Sequence, residues 1–367
     1  METRNFFVNT EETLIGECRN VTINLPQSLM SCDETERMRL TLQTFTMRKN
    51  WYNLNKYNTI FYIVAKSSTG TVISKRVAIP EGNYQSFSDT TYGFSAYVQF
   101  AVDTVLKAAP FSITTPNTLC NWNPVTNKLG ISFDTTGAVA NSIAECKLVT
   151  FTIPAYTPSG SSLVKTILGN DFLGSFQDNH EIMGGCNHEN QDADTFEDLT
   201  SMMTISTSGT AANPTYVFSG FYNATLSSEE NLYVRTDLNS TSFQTAGFDT
   251  DANLYPYVVN SQILAKIPIP NPQFTYVQEF STSYDNTPAV TGTNIGDYRY
   301  ERPFQIIEYT DNGNNMFSIL LVAKKITSMR LFITDSYGRL IPEISLQQIR
   351  CDAMNFTTSL RVDVYKD

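Results

Sequence analysis

The residues best suited to chemistry in this chain lie close together. Its two histidines, His180 and His188, flank Cys186, and Glu189, Asp192 and Asp194 follow. Imidazole and thiolate are good zinc ligands, and a tetrahedral site holding these three needs one more. The spacing, His-x5-Cys-x-His, matches no zinc module. His180, Cys186 and His188 therefore read as members of a polar, exposed loop, and no metal is assigned. Asp249, Asp251 and Asn253 begin like a calcium loop, D-x-D-x-N. Leu254 stands where the sharp turn requires glycine, and Asn260 where a bidentate glutamate is required. A turn with solvated carboxylates is the better reading.

Nucleophilic catalysis finds little support. The sequence contains no Gly-x-Ser-x-Gly and no Walker loop. With both histidines in one loop, a Ser/His/Asp or Cys/His site has no base to draw on elsewhere. A glycosidase needs only two carboxylates, and Trp51 and Trp122, the only tryptophans, could stack on sugars. These aromatics read instead as core or interface residues. No catalytic residue and no cofactor is assigned, and the chain is expected not to be an enzyme.

The elements that must position these residues are mostly strands. Met329, Leu331 and Ile333 alternate with Arg330, Phe332 and Thr334, the period of a half-buried strand. Asp335-Ser336-Tyr337-Gly338 reads as a tight turn, with Gly338 free to take positive φ, and the chain returns over 339–344. Phe317 to Ala323 is a near-continuous apolar run, expected of a strand covered on both faces. Further strands are expected over 21–25, 38–47, 59–65, 72–79, 127–134, 147–153, 216–222, 231–237, 262–269, 274–280 and 360–364. Pro268, Pro270 and Pro272 make 262–269 an edge or a strand end. Phe94, Tyr97, Val98, Ala101, Val105 and Leu106 recur at helical spacing, with capping residues in 88–91 and Pro110 as a stop.

Length and composition bound the remainder. The 367 residues suffice for about two domains. Charged residues make up 17%, below the roughly 25% of ordinary soluble domains, so much surface is uncharged or covered by neighbours. The net charge of −11 and the lack of basic clusters beyond Arg48-Lys49 and Lys324-Lys325 argue against nucleic-acid binding. The segment METRNFFVNTEE has no apolar stretch of signal-peptide length, and no run is long enough to span a membrane. Cysteines 18, 32, 120, 146, 186 and 351 form no Cys-x-x-Cys pair and are expected as reduced thiols. The Asn-x-Ser/Thr triplets at Asn20, Asn223, Asn239 and Asn355 read as chance.

A set of short stretches carries a resemblance. Ile79-Pro80-Glu81-Gly82-Asn83-Tyr84 precedes the helix, and Asn127-Lys128-Leu129-Gly130-Ile131 and Ile167-Leu168-Gly169 follow it. Leu232-Tyr233-Val234-Arg235-Thr236-Asp237-Leu238 comes before Ile263-Leu264-Ala265-Lys266-Ile267-Pro268, and then Leu331 to Leu340. Over roughly residues 38 to 365 the chain resembles the minor capsid or penton-type proteins of virophages, polinton-like elements and large DNA viruses. The polar stretch 177–215 departs from that pattern. The resemblance implies a jelly-roll core and assembly with a major capsid protein into an icosahedral shell, made in host cytoplasm and residing in the virion.

The expected fold is mainly β: a jelly-roll β-sandwich core, an additional β-rich module and one prominent helix. Residues 1–37 are expected as an N-terminal arm and first strand, 38–176 as a β-rich module with its helix at 93–109, 177–215 as a polar surface excursion and boundary, and 216–367 as the sandwich module. The expected function is a penton or minor capsid subunit, most simply a homopentamer, with a host surface receptor as a further partner. The alternative is a β-rich spike protein that recognises host glycans or a receptor. A β-rich glycoside hydrolase ranks below both.

Overall fold

The computed structural model describes residues 2–10, 16–17, 19–26, 29–49, 51–84, 86–88, 93–135, 143–151, 162–168, 179–186, 190, 193–210, 213–226, 229–240, 243–248, 256–260, 262–269, 275–276, 299–300, 306–313, 316–336, 338–342 and 354–366. The elements open with β1 (Glu2–Asn9), β2 (Gly16–Glu17), β3 (Asn20–Asn24), β4 (Glu36–Arg48), β5 (Ile60–Ser67) and β6 (Val72–Ala78). Next come α1 (Phe94–Lys107), β7 (Leu119–Asn123), β8 (Lys128–Asp134), β9 (Ile143–Val149), α2 (Ser162–Leu168), α3 (Asn179–Met183), β10 (Thr204–Thr210) and β11 (Asn213–Ser219). Then follow β12 (Asn231–Thr236), β13 (Phe243–Phe248), β14 (Pro256–Asn260), β15 (Ile263–Pro268), β16 (Thr275–Tyr276) and β17 (Arg299–Tyr300). The chain continues with β18 (Ile306–Thr310), β19 (Ser318–Leu321), β20 (Ser328–Thr334) and β21 (Phe356–Lys366). Every pairing is antiparallel, and the fold is mainly β.

The chain divides into two compact units. Unit 1 comprises Met1–Trp51, Glu229–Phe274 and Glu301–Asp367, and unit 2 comprises Tyr52–Ser228 and Thr275–Tyr300. In sequence, the chain leaves unit 1 after β4, builds unit 2, and re-enters unit 1 before β12.

Unit 1 holds two five-stranded sheets. One runs β1-β21-β4-β18, with β19 also on β4; the other runs β15-β12-β20-β3-β2. Inward side chains of both sheets form one hydrophobic cluster, among them Met38, Leu40, Val362 and Val364 from the first and Leu232, Val234, Leu331 and Ile333 from the second. In β4 the inward parity changes along the strand. Met38, Leu40 and Leu42 are buried, and so are Phe45 and Met47. The register explains this: Ser359 pairs with Thr44 but Leu360 pairs with Leu42, so one residue of β4 is left over at Gln43. A bulge of this kind switches which positions face the core. Phe45 then stacks on Phe356 with ring centroids 5.6 Å apart.

Unit 2 is organised around β5, the middle strand of β6-β5-β9. Its alternate residues feed two clusters, as a two-residue period dictates. Phe61, Ile63 and Ala65 join Phe94, Val98 and Val102 of α1 and Phe133 and Phe218 of the sheet β10-β11-β8-β7. Tyr62 and Val64 join Val149, Phe151, Val164 and Ile167, together with Ala193, Phe196 and Leu199.

Several sequence expectations need correction. Residues 2–9 of the expected N-terminal arm form a paired strand: β1 runs against β21 from Glu2 opposite Val364 to Asn9 opposite Thr357, and Val8 is buried. The expected boundaries at 37/38, 176/177 and 215/216 differ from those of the compact units, because strand pairing joins segments remote in sequence. Among its described residues the 177–215 stretch is only partly a surface excursion: β10 is exposed along its whole length, but much of the rest is packed. Ile182, Met183, Phe196, Leu199, Met202 and Met203 are buried, and its polar residues do structural work. Buried Asn190 donates to the Thr150 and Thr200 carbonyls at 3.1 Å and accepts the Thr200 N–H at 2.8 Å. Lys147 donates to the carbonyls of Phe196 at 2.8 Å and Leu199 at 2.6 Å.

Other differences are smaller. Residues 317–323 are not covered on both faces: in β19 Ile319 and Leu321 are buried, Ser318 and Leu320 on the opposite face are half-buried, and Val322 beyond the strand is exposed. Helix α1 begins at Gly93, whose carbonyl accepts from Ala96 and Tyr97, not at a side-chain cap within 88–91. Helix α2 is not among the expected elements. The Asp249–Asn253 turn, most of the strand expected over 274–280, Cys18, Cys351 and residues 343–344 lie outside the described residues.

Candidate functional site

The His180 and Cys186 segment is a packed crossing. His180 lies in α3 and is buried, Cys186 is half-buried, and His188 lies outside the described residues. Gly184 ends α3 at φ +66°, the left-handed conformation that glycine takes without strain. A Cβ there would sit 2.3 Å from the Tyr222 carbonyl oxygen, and one on Gly185 would sit 2.6 Å from that of Met202. The Cys186 N–H donates to the Met202 carbonyl at 2.8 Å, and the Tyr222 N–H to that of Gly184 at 2.8 Å. A hydrogen bond to Cys186 pushes the Tyr222 hydroxyl above its ordinary range. The two glycines and the backbone bonds account for this segment as packing. Among the described residues, no three His, Cys, Asp or Glu side chains gather as a metal would require.

The turn after β20 gathers buried charge in unit 1. Asp335 accepts from Arg339 Nε at 2.5 Å and from the Arg339 N–H at 2.9 Å, with side-chain exposures of 3% and 8%. Arg235 on β12 donates Nε to Thr334 Oγ1 at 2.8 Å, and burial lowers its pKa against the pull of Asp335. Gly338 takes φ +82°, as its place in the turn predicts. The polar groups point at one another, which makes the cluster a structural lock.

An open concave surface lies in unit 2, between α1 and the segment that leads into β7. It is a groove of about 690 Å³ lined by Ser95, Gln99, Phe100, Asp103 and Lys107 on the helix and by Thr118, Cys120, Asn121 and Trp122 opposite. A second groove of about 670 Å³ shares Asn121 and Trp122 and continues along Asn123, Lys128 and Gly130. Gln99 Oε1 accepts the Cys120 N–H at 3.2 Å, which fixes the amide across the groove. Asp103 and Lys107 pair at 2.5 Å, one helical turn apart. Trp122 stacks on Phe87 with centroids 5.7 Å apart and planes 14° from parallel. Burial pushes the Cys120 thiol up to about 12, so it stays protonated and unreactive at neutral pH.

Comparison with solved structures finds distant matches, and two among them align over essentially the full chain. One is the crystal structure of the selenomethionine-labelled mavirus penton protein, at 9% identity and TM-score 0.39, covering 100% of each chain. The other is a chain from the 3.5 Å cryo-electron-microscopy structure of the Sputnik virophage, at 11% identity and TM-score 0.33, covering 99% of this chain and 98% of that one. No family model and no curated protein matches the chain.

Of the residues singled out in the sequence, His180 and Cys186 serve packing. Trp51 lies in the unit 1 core and Trp122 on the groove. The groove itself was not anticipated. Its signal was Phe100, an aromatic residue outside the apolar stripe of α1 that the structure leaves 72% exposed. Among the described residues, no helix is long and apolar enough to cross a membrane.

Proposed function

We propose that the chain is a structural subunit of a viral capsid, with unit 1 as its jelly roll. The strand order of unit 1 carries this reading. Taken along the chain, β1, β3, β4, β12, β15, β18, β20 and β21 fall in the sheets first, second, first, second, second, first, second, first. The spatial orders β1-β21-β4-β18 and β3-β20-β12-β15 support reading unit 1 as an eight-stranded jelly roll with two Greek keys. Such sandwiches recur in viral capsids and in lectins. The low charge supports broad contacts with neighbours, and the sequence resemblance to penton and minor capsid proteins supports the same role.

In this reading the subunit closes a vertex as a homopentamer. A closed ring requires head-to-tail contacts between two different flanks of each subunit. Its partners are further copies of itself and a major capsid protein, it resides in the virion, and a host receptor is the outward partner. No catalytic, cofactor or metal role is proposed, and none for His180, Cys186 or His188. The test is electron microscopy of the chain alone and co-expressed with a major capsid protein. Five-fold rings and density at shell vertices are expected. A chain that stays monomeric and is excluded from shells would overturn the reading.

A second reading, a glycan-binding or receptor-binding spike protein, is favoured by one observation: the aromatic and amide-lined groove of unit 2.

A further inference from the structure

We infer that unit 2 carries a binding groove for a neutral oligosaccharide, running between α1 and β7 and on past Trp122. The inference stands whether or not the chain builds a shell.

Size comes first. Small-molecule sites span about 300–1,000 Å³. The groove of about 690 Å³ is within that range, and its continuation beyond Trp122 gives room for more than one ring.

The lining then selects the ligand. Ser95, Gln99, Thr118 and Asn121 present hydroxyls and amides, groups that both donate and accept. Sugar hydroxyls have the same dual character. The charged residues on the α1 side, Asp103 and Lys107, neutralise each other at 2.5 Å. An anionic ligand therefore gains no net attraction there, and a nucleic acid would need a cluster of cations. Asp103 Oδ1 also lies 3.5 Å from Thr118 Oγ1, which ties the carboxylate to the opposite wall.

The aromatics supply the apolar contact that a pyranose needs for its C–H faces. Phe100 is 72% exposed at the groove. Trp122 is braced from behind by Phe87, which fixes its ring at no further entropic expense.

Two buried polar atoms on the lining complete the case. Ser95 is 6% exposed, and its Oγ has beside it only the weak thiol of Cys120. The indole N–H of Trp122 is buried and meets no acceptor. Buried polar atoms without partners are rare in folded proteins. Both atoms lie just beneath the lining, and a ligand hydroxyl would meet them once the Ser95 and Trp122 side chains turn toward the groove.

Saturation-transfer NMR on the full, unmodified chain tests the inference, with cellotriose, chitotriose, mannotriose and N-acetyllactosamine as probes and tripolyphosphate as the anionic control. At least one saccharide should bind saturably, and tripolyphosphate should not. Phe100→Ala, at an exposed position that does not threaten folding, should weaken that binding about fivefold, as loss of one stacking contact implies. Saturable binding by none of the saccharides, unchanged affinity in Phe100→Ala, or equal binding of tripolyphosphate would each overturn it. None of these readouts depends on assembly, so they separate this inference from the capsid reading.

Discussion

Asp335 and Arg339 close the turn after β20 by a carboxylate–guanidinium contact of 2.5 Å, with almost none of either side chain exposed. The aspartate also holds the Arg339 N–H, so one residue sets both the charge and the backbone of the turn. Removing one member of a buried pair leaves the other charge uncompensated, which costs about 3–5 kcal/mol. Asp335→Ala should lower the stability of unit 1 by that amount in urea titration, with Arg235 as well as Arg339 left facing the gap. Gly338→Ala, at φ +82°, should cost only about 1 kcal/mol. Equal effects of the two changes would show that the ion pair is not the lock.

Strand β1 should be indispensable to unit 1. Its full-length pairing with β21 predicts that deleting residues 2–9 strips the edge of β21 and promotes aggregation. Val8→Asp buries an unpaired charge and should destabilise by several kcal/mol. Phe7→Ser, on the same strand but 83% exposed, should stay within about 0.5 kcal/mol of the parent. Thermal denaturation of the three variants checks the order.

The 193–200 segment should behave as core. Asn190→Ala removes three hydrogen bonds to the backbone at buried or half-buried positions and should cost about 1–3 kcal/mol. Hydrogen exchange should show the Thr200 amide protected in the parent and released in the variant. A Thr200 amide that exchanges freely in the parent would return this stretch to the surface.

The buried thiols give a pH-dependent signature. Burial raises the Cys120 and Cys146 thiols above the ordinary 9.0, with Cys120 reaching about 12. Both groups therefore contribute stability that is fully present below about pH 9 and is lost as pH rises through the folded values. Urea midpoints of unit 2 should fall above pH 9, and by less in Cys120→Ala. Iodoacetamide at pH 8 should leave both thiols unmodified until the chain unfolds.

Much of the strand content was legible because one buried face imposes a two-residue alternation. That holds for Met329, Leu331 and Ile333 of β20, and the helical spacing of Phe94, Val98, Ala101 and Val105 made α1 legible in the same way. Legibility failed where a local pattern was broken for a long-range reason. The bulge at Gln43 shifts the parity of β4, and exposed Phe7 hides the inward alternation of Phe6 and Val8. Composition misled at 177–215, because Asn190 is buried and fully bonded rather than solvated. The metal reading at His180 and Cys186 turned on spacing, whereas the glycines beside them reveal backbone contact. The groove could not be read at all from one segment, since α1 and β7 make it only by packing together.

The pairing of β1 with β21 also sets a clock. Translation at about 5–20 residues per second delivers the partner of Glu2, Val364, only after about 20–70 s. Throughout that interval a strand bearing exposed Phe7 waits beside the ribosome without its neighbour. Most of unit 2, drawn from Tyr52–Ser228, has emerged long before. Unit 1 must therefore close last, after unit 2 has had time to fold, and a nascent chain stalled near residue 340 should bear a structured middle and an unpaired beginning. Chaperones that shield strand edges would act on this protein during that wait, and faster elongation should raise its soluble yield.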